Sequence, residues 1–276
     1  MTELPLFERL QIESISRCNR SCWFCPRTYD TSGKYLDASG EPVRNAMPTS
    51  TILDLLDQAQ GLGFIGRVGF HHYSEPLLDP RNVELALEAK ERGMQPCLVT
   101  NGDVLRDRPQ KCSEVMKAYD HIVIGLYDYE SQSELEAAKA YWRSMLPVTA
   151  LEFSTIGLSN AAKSSIAAPR VAVPGDIRFR APNFAFPNAP CHRPLVRMLV
   201  QHDGEVALCC EDISGEHHLG NVNQMSLREI WQSEAHIRIV NDLVAGKRDK
   251  YSLCCGCPAT PTAGLSDGRQ ISIVPR

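Results

Sequence analysis

Short apolar runs and longer amphipathic segments alternate along the first two thirds of the chain. Runs rich in β-branched and aromatic residues predict strands over residues 10–15, 67–73, 95–101, 121–127, 150–156 and 177–181. Between these runs, apolar residues recur every three or four positions, which predicts helices. Strands that alternate with helices form parallel βα units. Residues 1–182 therefore predict an α/β domain, a partial (β/α)6 TIM-like barrel.

Capping residues mark where several of these helices begin and end. Residues 49–61 keep helical spacing as far as Gly61. Asp79 is placed as the N-cap of the next helix, and Gly93 lies beyond its end. Ser131, with a glutamate three residues later, forms a predicted capping box.

The pattern changes after residue 182, where proline becomes frequent and the periodicity is lost. Alternating apolar residues on both sides of Asp203–Gly204 predict a β-hairpin. One amphipathic helix follows, capped by Ser226 and closed by Gly246. Residues 183–260 thus predict a small α+β domain with a β-hairpin and a helix, and residues 261–276 a C-terminal tail.

Composition narrows the possible partners and the compartment. The chain has 276 residues and a formal net charge of -4, which gives no global attraction for nucleic acid. No apolar run has the length of a signal peptide or a membrane span. We therefore expect a soluble, cytoplasmic protein that binds neither nucleic acid nor membrane.

Eleven cysteines are too many for a chain that has no export signal to use them in disulfides. Their odd number and the length of the chain favour metal or cluster binding. Three of them, Cys18, Cys22 and Cys25, follow the first predicted strand, at the end of a barrel that carries the chemistry. Three thiolates suit a [4Fe–4S] cluster whose fourth iron stays open to another ligand. Zinc and buried structural cysteines are the alternatives at this loop.

A second set of cysteines lies in the C-terminal third. Cys254 and Cys257 form a CxxC pair after the predicted helix, and Cys191 and Cys209 complete four ligands. Four cysteines suit a structural zinc ion as well as an iron–sulfur cluster, so spacing alone leaves both open.

The CxxxCxxC motif, with an aromatic residue before its last cysteine, resembles that of the radical S-adenosylmethionine (SAM) enzymes. "YSEPLL" at 73–78 and "VTNGDVL" at 99–105 resemble segments that line the SAM cleft in that family. The resemblance implies that the open iron is chelated by SAM and that Phe24 lies against the adenine. The other predicted SAM contacts, from the SEP segment and from strand ends, are Tyr73, Ser74, Glu75, Asn101 and Tyr127.

The C-terminal pattern, from Cys191 through "DGEVALCCED" and "LGNV" to the CxxC pair, resembles the Twitch domain, a shortened SPASM domain. The resemblance implies one auxiliary [4Fe–4S] cluster held by Cys191, Cys209, Cys254 and Cys257. The cysteines left over, expected to be small core residues, are Cys97, Cys112, Cys210 and Cys255.

The resemblance is greatest to members that oxidise a secondary alcohol of an aminocyclitol in antibiotic biosynthesis. It implies a 5′-deoxyadenosyl radical that abstracts hydrogen from a polyol or aminocyclitol, with the auxiliary cluster accepting the second electron. Glu211 is the expected substrate contact, beside the auxiliary ligands. One of His71 and His72 faces the cleft, with His71 preferred, and the other packs under a helix. A flavodoxin or ferredoxin is the expected electron donor.

Three other functions remain open. A radical SAM epimerase would return a hydrogen atom from a thiol, for which Cys210 is the candidate. A peptide-modifying radical SAM enzyme is disfavoured by the short segment ahead of Cys18. An electron-transfer or zinc-binding module would not need the "SEP" and "TNG" segments.

Overall fold

The computed structural model describes residues 3–22, 25–127, 129, 131–155 and 188–257. The strands are β1 Arg9–Ile12, β2 Arg67–Gly69, β3 Gln95–Thr100, β4 His121–Leu126, β5 Leu151–Thr155, β6 Arg197–Val200 and β7 Val206–Ala207. The α-helices are α1 Thr49–Gly61, α2 Asn82–Glu91, α3 Asp103–Asp107, α4 Lys111–Ala118, α5 Gln132–Met145, α6 Arg193–Val196, α7 Leu227–Trp231, α8 Glu234–Val244 and α9 Ser252–Cys255. Short 3-10 turns cover Pro26–Tyr29, Pro76–Leu78 and Arg248–Lys250.

The seven strands form one sheet in the order β5-β4-β3-β2-β1-β6-β7. In this order, every pair of adjacent strands from β5 through to β6 is parallel, and β7 is antiparallel to β6. The predicted α/β class and partial barrel are confirmed. The strand predicted at 177–181, the domain boundaries at residues 182 and 260, and the tail all fall outside the described residues.

The first strand of the predicted hairpin pairs with β1 in the main sheet. Arg197–Val200 lies in register with Arg9–Ile12 over four residues. The hairpin is therefore part of the barrel wall as well as the start of the C-terminal region. Local periodicity did not reveal this pairing, because the two strands are almost 190 residues apart.

Each strand divides its side chains between a core face and a cavity face, as the two-residue period of a strand requires. On β1, Ile12 is fully buried in the core, whereas Arg9 and Gln11 line a central cavity. On β3, Leu98 belongs to the core and Cys97 lines the cavity. The helices cover the first face and leave the second open to a ligand.

The predicted helix signals are mostly confirmed. The helix over 49–61 has the expected bounds, and Ser131 forms both hydrogen bonds of its capping box. Asp79 is not an N-cap, because a 3-10 turn precedes it and α2 begins only at Asn82. Its carboxylate instead pairs with Arg81 at 2.9 Å.

The single helix predicted after Ser226 is wrong: two helices, α7 and α8, replace it. Ser226 caps the first as expected, but Ser233 interrupts the segment and caps the second by accepting from the N–H of His236. A serine side chain competes for backbone donors in this way and starts a new helix. No described helix is long and apolar enough to cross a membrane.

Candidate active site

The three cysteines of the CxxxCxxC motif line one cavity of about 280 Å³, next to the carboxyl ends of β1, β2 and β3. Their loop is held by its own backbone: the N–H of Cys25 donates to the carbonyl of Cys22 at 3.0 Å. Thr28 donates to the same carbonyl at 2.9 Å. The loop therefore presents Cys18, Cys22 and Cys25 together.

These thiols need a positive partner to ionise. Burial raises the pKa of Cys25 to about 11, and it also raises the pKa of Cys18. Free thiols with such values are protonated at neutral pH, so metal binding must displace their protons. In the described part of the chain no three Cys, His, Asp or Glu side chains gather around a single metal ion. Three cysteines spread around one cavity fit a cubane cluster, whose ligands attach to different irons, better than one zinc ion.

The segment after β2 joins the neighbouring loops through Glu75, which is only 2% exposed. Its carboxylate accepts from the hydroxyl of Thr100 at 2.6 Å and from the N–H groups of Asn101 at 2.8 Å and Leu77 at 3.2 Å. Its own N–H donates to the carbonyl of Arg17, beside the cysteine loop, at 2.8 Å. Glu75 lines the cysteine cavity, but its oxygens are used to hold the cavity walls.

Replacing Glu75 by alanine is expected to lower the free energy of unfolding by about 3 kcal/mol, because three donors, two of them buried, lose their acceptor. Glu75→Gln keeps one acceptor oxygen, so its free energy of unfolding should fall less. Urea unfolding of the apoprotein and SAM binding by the reconstituted enzyme measure both effects. Glu134→Ala, at an exposed helix cap, is the control, and an equally small loss in Glu75→Ala would contradict the bridging role.

The "TNGD" turn is tied to the cysteine loop from the opposite side. Asn101 donates to Asn19 at 2.9 Å, and Arg20 forms an ion pair of 2.6 Å with Asp103. Gly102 has φ +82°, and a Cβ there would collide with the ring of Trp142. The close packing of this turn thus requires glycine.

The structure places five of the six predicted SAM contacts around the cysteine cavity. These are Tyr73, Ser74, Glu75, Asn101 and Tyr127. Phe24 lies outside the described residues. The roles of all six stay predictions, since proximity to the cavity does not by itself identify a contact.

A central cavity of about 510 Å³ opens inside the barrel and shares His71, His72 and Tyr73 with the cysteine cavity. The expectation that one histidine packs under a helix is wrong, because both line the two cavities. The strand β2 ends at Gly69, so side chains after it no longer alternate. A Cβ at Gly69 would lie 2.7 Å from the ring of His71, so glycine leaves room for that ring.

Both histidines are neutral at ordinary pH. Burial lowers the pKa of His71 and of His72 to about 3. The Nδ1 atom of His71 and the Nε2 atom of His72 are buried and make no hydrogen bond in the described part of the chain. The cavity therefore offers two neutral imidazoles to a polar ligand.

The second cysteine set lines a small cavity of its own, formed by Cys191, Cys209, Cys254 and Cys257. Burial raises the pKa of Cys209 and of Cys254, so these thiols also require a cation to ionise. Arg193 lines the same cavity. Burial alone would lower the pKa of Arg193, but nearby negative groups raise it, so its positive charge can balance thiolates here.

Glu211 and Cys210 face different cavities. Glu211 lines the auxiliary cavity and pairs with Arg193 at 3.2 Å. Cys210 lines the central cavity, and its carbonyl accepts from the hydroxyl of Tyr73 at 2.7 Å. Substrate contact by Glu211 stays a prediction, and this placement gives it a partner that tethers it to the auxiliary site.

Of the four leftover cysteines, only Cys112 is a buried core residue as predicted. Cys255 is exposed, and its thiol donates to the carbonyl of Ser252. Cys97 and Cys210 line the central cavity. The expectation of small core residues was therefore wrong for three of them.

Two known protein families match the regions that hold the two cysteine sets. Residues 12–142 match the model of the radical SAM superfamily, and residues 191–258 match that of SPASM, an iron–sulfur cluster-binding domain. The chain is a radical SAM enzyme. Its cofactors are accordingly SAM and a [4Fe–4S] cluster, with auxiliary iron–sulfur binding in the SPASM domain.

Relatives of this radical SAM enzyme span nearly its whole length. The S-adenosyl-L-methionine-dependent 2-deoxy-scyllo-inosamine dehydrogenase of Niallia circulans is 26% identical over 265 residues, which cover 91% of this chain and 93% of the relative. The crystal structure of BtrN with AdoMet and 2-DOIA has a TM-score of 0.70 at 21% identity and covers 96% of this chain and 97% of BtrN. Streptococcus suis SuiB bound to S-adenosylmethionine has a TM-score of 0.56 at 13% identity, covering 96% of this chain and 77% of SuiB.

Sequence reasoning missed a buried polar cluster behind the histidines. Glu13 is fully buried, and its carboxylate accepts from the hydroxyl of Tyr35 at 2.7 Å and the N–H of Tyr73 at 2.8 Å. Tyr35 is also fully buried and lies 3.4 Å from Nδ1 of His72. The available signal was an acidic residue inside the run predicted as the first strand, 10–15, since charged side chains are almost never fully buried unless they are paired.

Proposed function

We propose that this enzyme dehydrogenates a secondary alcohol of a small polyol, such as an aminocyclitol or a sugar, to a ketone. The central cavity carries the proposal, because it shares His71, His72 and Tyr73 with the SAM-side cysteine cavity. At its other wall lies Cys210, next in sequence to the auxiliary ligand Cys209. A substrate there would lie between the two cysteine sets. The dehydrogenase of Niallia circulans supports the reaction type.

When bound, the cofactors supply a 5′-deoxyadenosyl radical for hydrogen abstraction and an acceptor for the second electron. The chain's own residues orient the substrate and exclude water. Tyr73 lies between the two cysteine sets, because it lines both cavities and its hydroxyl donates to the carbonyl of Cys210. Electrons would be delivered by a small donor such as a flavodoxin or ferredoxin.

The alcohol must also lose its hydroxyl proton, and a chain of buried groups leads away from the cavity. His72 lines the cavity, its Nδ1 lies 3.4 Å from the hydroxyl of Tyr35, and that hydroxyl donates to Glu13 at 2.7 Å. With a pKa of about 3, His72 is suited to pass a proton on rather than to keep it. We infer that the proton moves from the substrate through His72 and Tyr35 to Glu13.

Glu13 has the acidity that this role requires. Burial raises its pKa to about 7, although the hydrogen bonds donated by Tyr35 and Tyr73 act to lower it. A proton acceptor works best when its pKa is near the working pH. Glu13 must be ionised to accept, so ketone formation should fall as the pH drops through about 7.

Tyr35→Phe is expected to slow ketone formation by about 100-fold or more and to shift the midpoint of its pH profile upward. The upward shift follows because the lost hydrogen bond from Tyr35 stabilises the charged carboxylate of Glu13. Single-turnover ketone formation from pH 5.5 to 9 measures both effects. Tyr119→Phe, a buried tyrosine bonded to Asn82, is the matched control. If wild type and Tyr35→Phe had the same midpoint, Glu13 would not be the proton acceptor.

The reaction itself is tested with anaerobically reconstituted enzyme, SAM, dithionite and a panel of polyols and aminocyclitols. A substrate should raise 5′-deoxyadenosine formation and yield a product lighter by two hydrogens. Deuterium at the oxidised carbon should appear in 5′-deoxyadenosine. Formation of 5′-deoxyadenosine without any two-hydrogen loss would reject dehydrogenation.

Epimerisation is a second candidate because Cys210 lines the central cavity. A thiol at that wall could return a hydrogen atom to the opposite face of the substrate carbon. This reaction would be supported by a product that has the mass of the substrate when formed in H2O and contains one deuterium when formed in D2O. Cys210→Ala would then abolish the uptake, whereas it should spare the ketone if dehydrogenation is correct.

A further inference from the structure

Three arginines begin three neighbouring strands at the amino-terminal end of the barrel. Arg9 opens β1, Arg67 opens β2 and Arg197 opens β6. The register pairs Arg9 directly with Arg67 on one side and with Arg197 on the other. All three line the central cavity, on the same face of the sheet as Gln11.

This arrangement is electrostatically unfavourable without a counterion. Adjacent strands are about 4.8 Å apart, and like charges at paired positions destabilise a sheet. Burial lowers the pKa of Arg9, and the charges of Arg197 and Arg67 lower it further. In the described part of the chain, none of the three guanidinium groups donates a hydrogen bond or forms an ion pair.

The other charged group in the cavity does not neutralise this cluster. Glu152 of β5 lines the same cavity, and its carboxylate lies 3.4 Å from the ring of His121. The side chain of Glu152 is 65% exposed and Arg67 is exposed as well, so water screens both, whereas Arg9 and Arg197 are half-buried. His71 and His72 are neutral, so the described residues that line the cavity carry a net positive charge.

We propose that the substrate is anionic, and that Arg9, Arg67 and Arg197 bind its phosphate or carboxylate group at the strand-start end of the central cavity. This deepens the proposed function and rests on it. Guanidinium groups recognise such oxyanions through charge-assisted, often paired hydrogen bonds. An oxyanion would also relieve the repulsion between the three side chains.

The geometry matches a small phosphorylated or carboxylated ring. The four residues of β1 from Arg9 to Ile12, three steps of a strand, span roughly 10 Å along the barrel. An anionic group held by the arginines would thus leave the ring of the substrate beside His71, His72 and Tyr73. A substrate whose charge is an ammonium alone would be repelled at that end, which separates this chain's predicted substrate from a simple aminocyclitol.

Equilibrium binding to the reconstituted, SAM-loaded enzyme tests the site without turnover. The probes are inorganic phosphate, myo-inositol 1-phosphate, glucuronate and neutral myo-inositol, measured by calorimetry in the absence of reductant. We expect myo-inositol 1-phosphate or glucuronate to bind about 100-fold more tightly than myo-inositol. Inorganic phosphate should compete with the anionic probe. The phosphate ester and the uronate distinguish the two sources of the anion.

Arg9→Gln and Arg197→Gln should each weaken binding of the anionic probe by about 10-fold or more. Neither should change the binding of myo-inositol, and cluster absorbance and thermal midpoint report whether each variant is folded. Arg228→Gln, at an exposed position on α7, is the matched control and should bind like wild type.

Equal affinity for neutral and anionic probes, or unchanged binding in Arg9→Gln and Arg197→Gln, would overturn the proposal. Failure of the proposed function looks different. Arginine-dependent binding without any ketone under reducing conditions would keep the anion site and reject dehydrogenation. Ketone formed from a neutral polyol, at equal rates in wild type and both variants, would keep dehydrogenation and reject the anion site.

Discussion

Alanine at Cys18, Cys22 or Cys25 is expected to reduce 5′-deoxyadenosine formation to background, whatever the substrate. Among the described residues of the CxxxCxxC loop that line the cysteine cavity, only the three thiols can bind iron. With two thiolates the site cannot satisfy three irons of a cubane. Iron content, cluster absorbance and 5′-deoxyadenosine, all measured after anaerobic reconstitution, report the loss.

The control for these variants is Cys112→Ala, which removes a buried thiol from α4, away from all the cavities described above. It should keep wild-type iron content, although the lost packing lowers stability slightly. If any variant at Cys18, Cys22 or Cys25 cleaved SAM at the wild-type rate, that cysteine would not be a cluster ligand.

Alanine at Cys191, Cys209, Cys254 or Cys257 should have a different and equally large effect. Each variant should lose about four iron atoms per chain and keep the SAM-side cluster, because the two cysteine sets line separate cavities. SAM cleavage should continue, while ketone formation falls to background. Iron analysis and parallel assays for 5′-deoxyadenosine and ketone separate the two activities.

Cys255→Ala is a close control, because Cys255 is the immediate neighbour of Cys254 but is exposed and bonds to Ser252. It should retain full iron content and ketone formation. Zinc in place of iron in the wild-type protein, purified without oxygen, would contradict an auxiliary cluster. Ketone formation at the wild-type rate in Cys209→Ala would show that the second site is only structural.

The separation of these effects depends on the wall between the cavities. Tyr73 donates to the carbonyl of Cys210, and Cys210 lines the central cavity while Cys209 lines the cavity of the second cysteine set. Two consecutive cysteines thus point to opposite sides of one short segment. This explains why neighbouring thiols of similar sequence context are expected to differ in function.

Much of the site was predictable because its signals are local. The thiols of Cys18, Cys22 and Cys25 lie within one loop, so their spacing alone indicates a shared ligand. Capping signals are equally local, and the box at Ser131 formed as predicted. The failure at Ser233 had the same origin: amphipathic spacing continues across it, and only its side-chain hydrogen bond ends one helix and starts another.

The sequence by itself determined the chemistry: three thiols near one strand end, a second set of four, and alternating strands and helices between them. Only the tertiary structure decided what surrounds that chemistry. The pairing of β6 with β1 set three arginines side by side, and burial gave Glu13 a pKa of about 7. The reason is physical: strand register and burial depend on contacts between distant segments, which local periodicity does not encode.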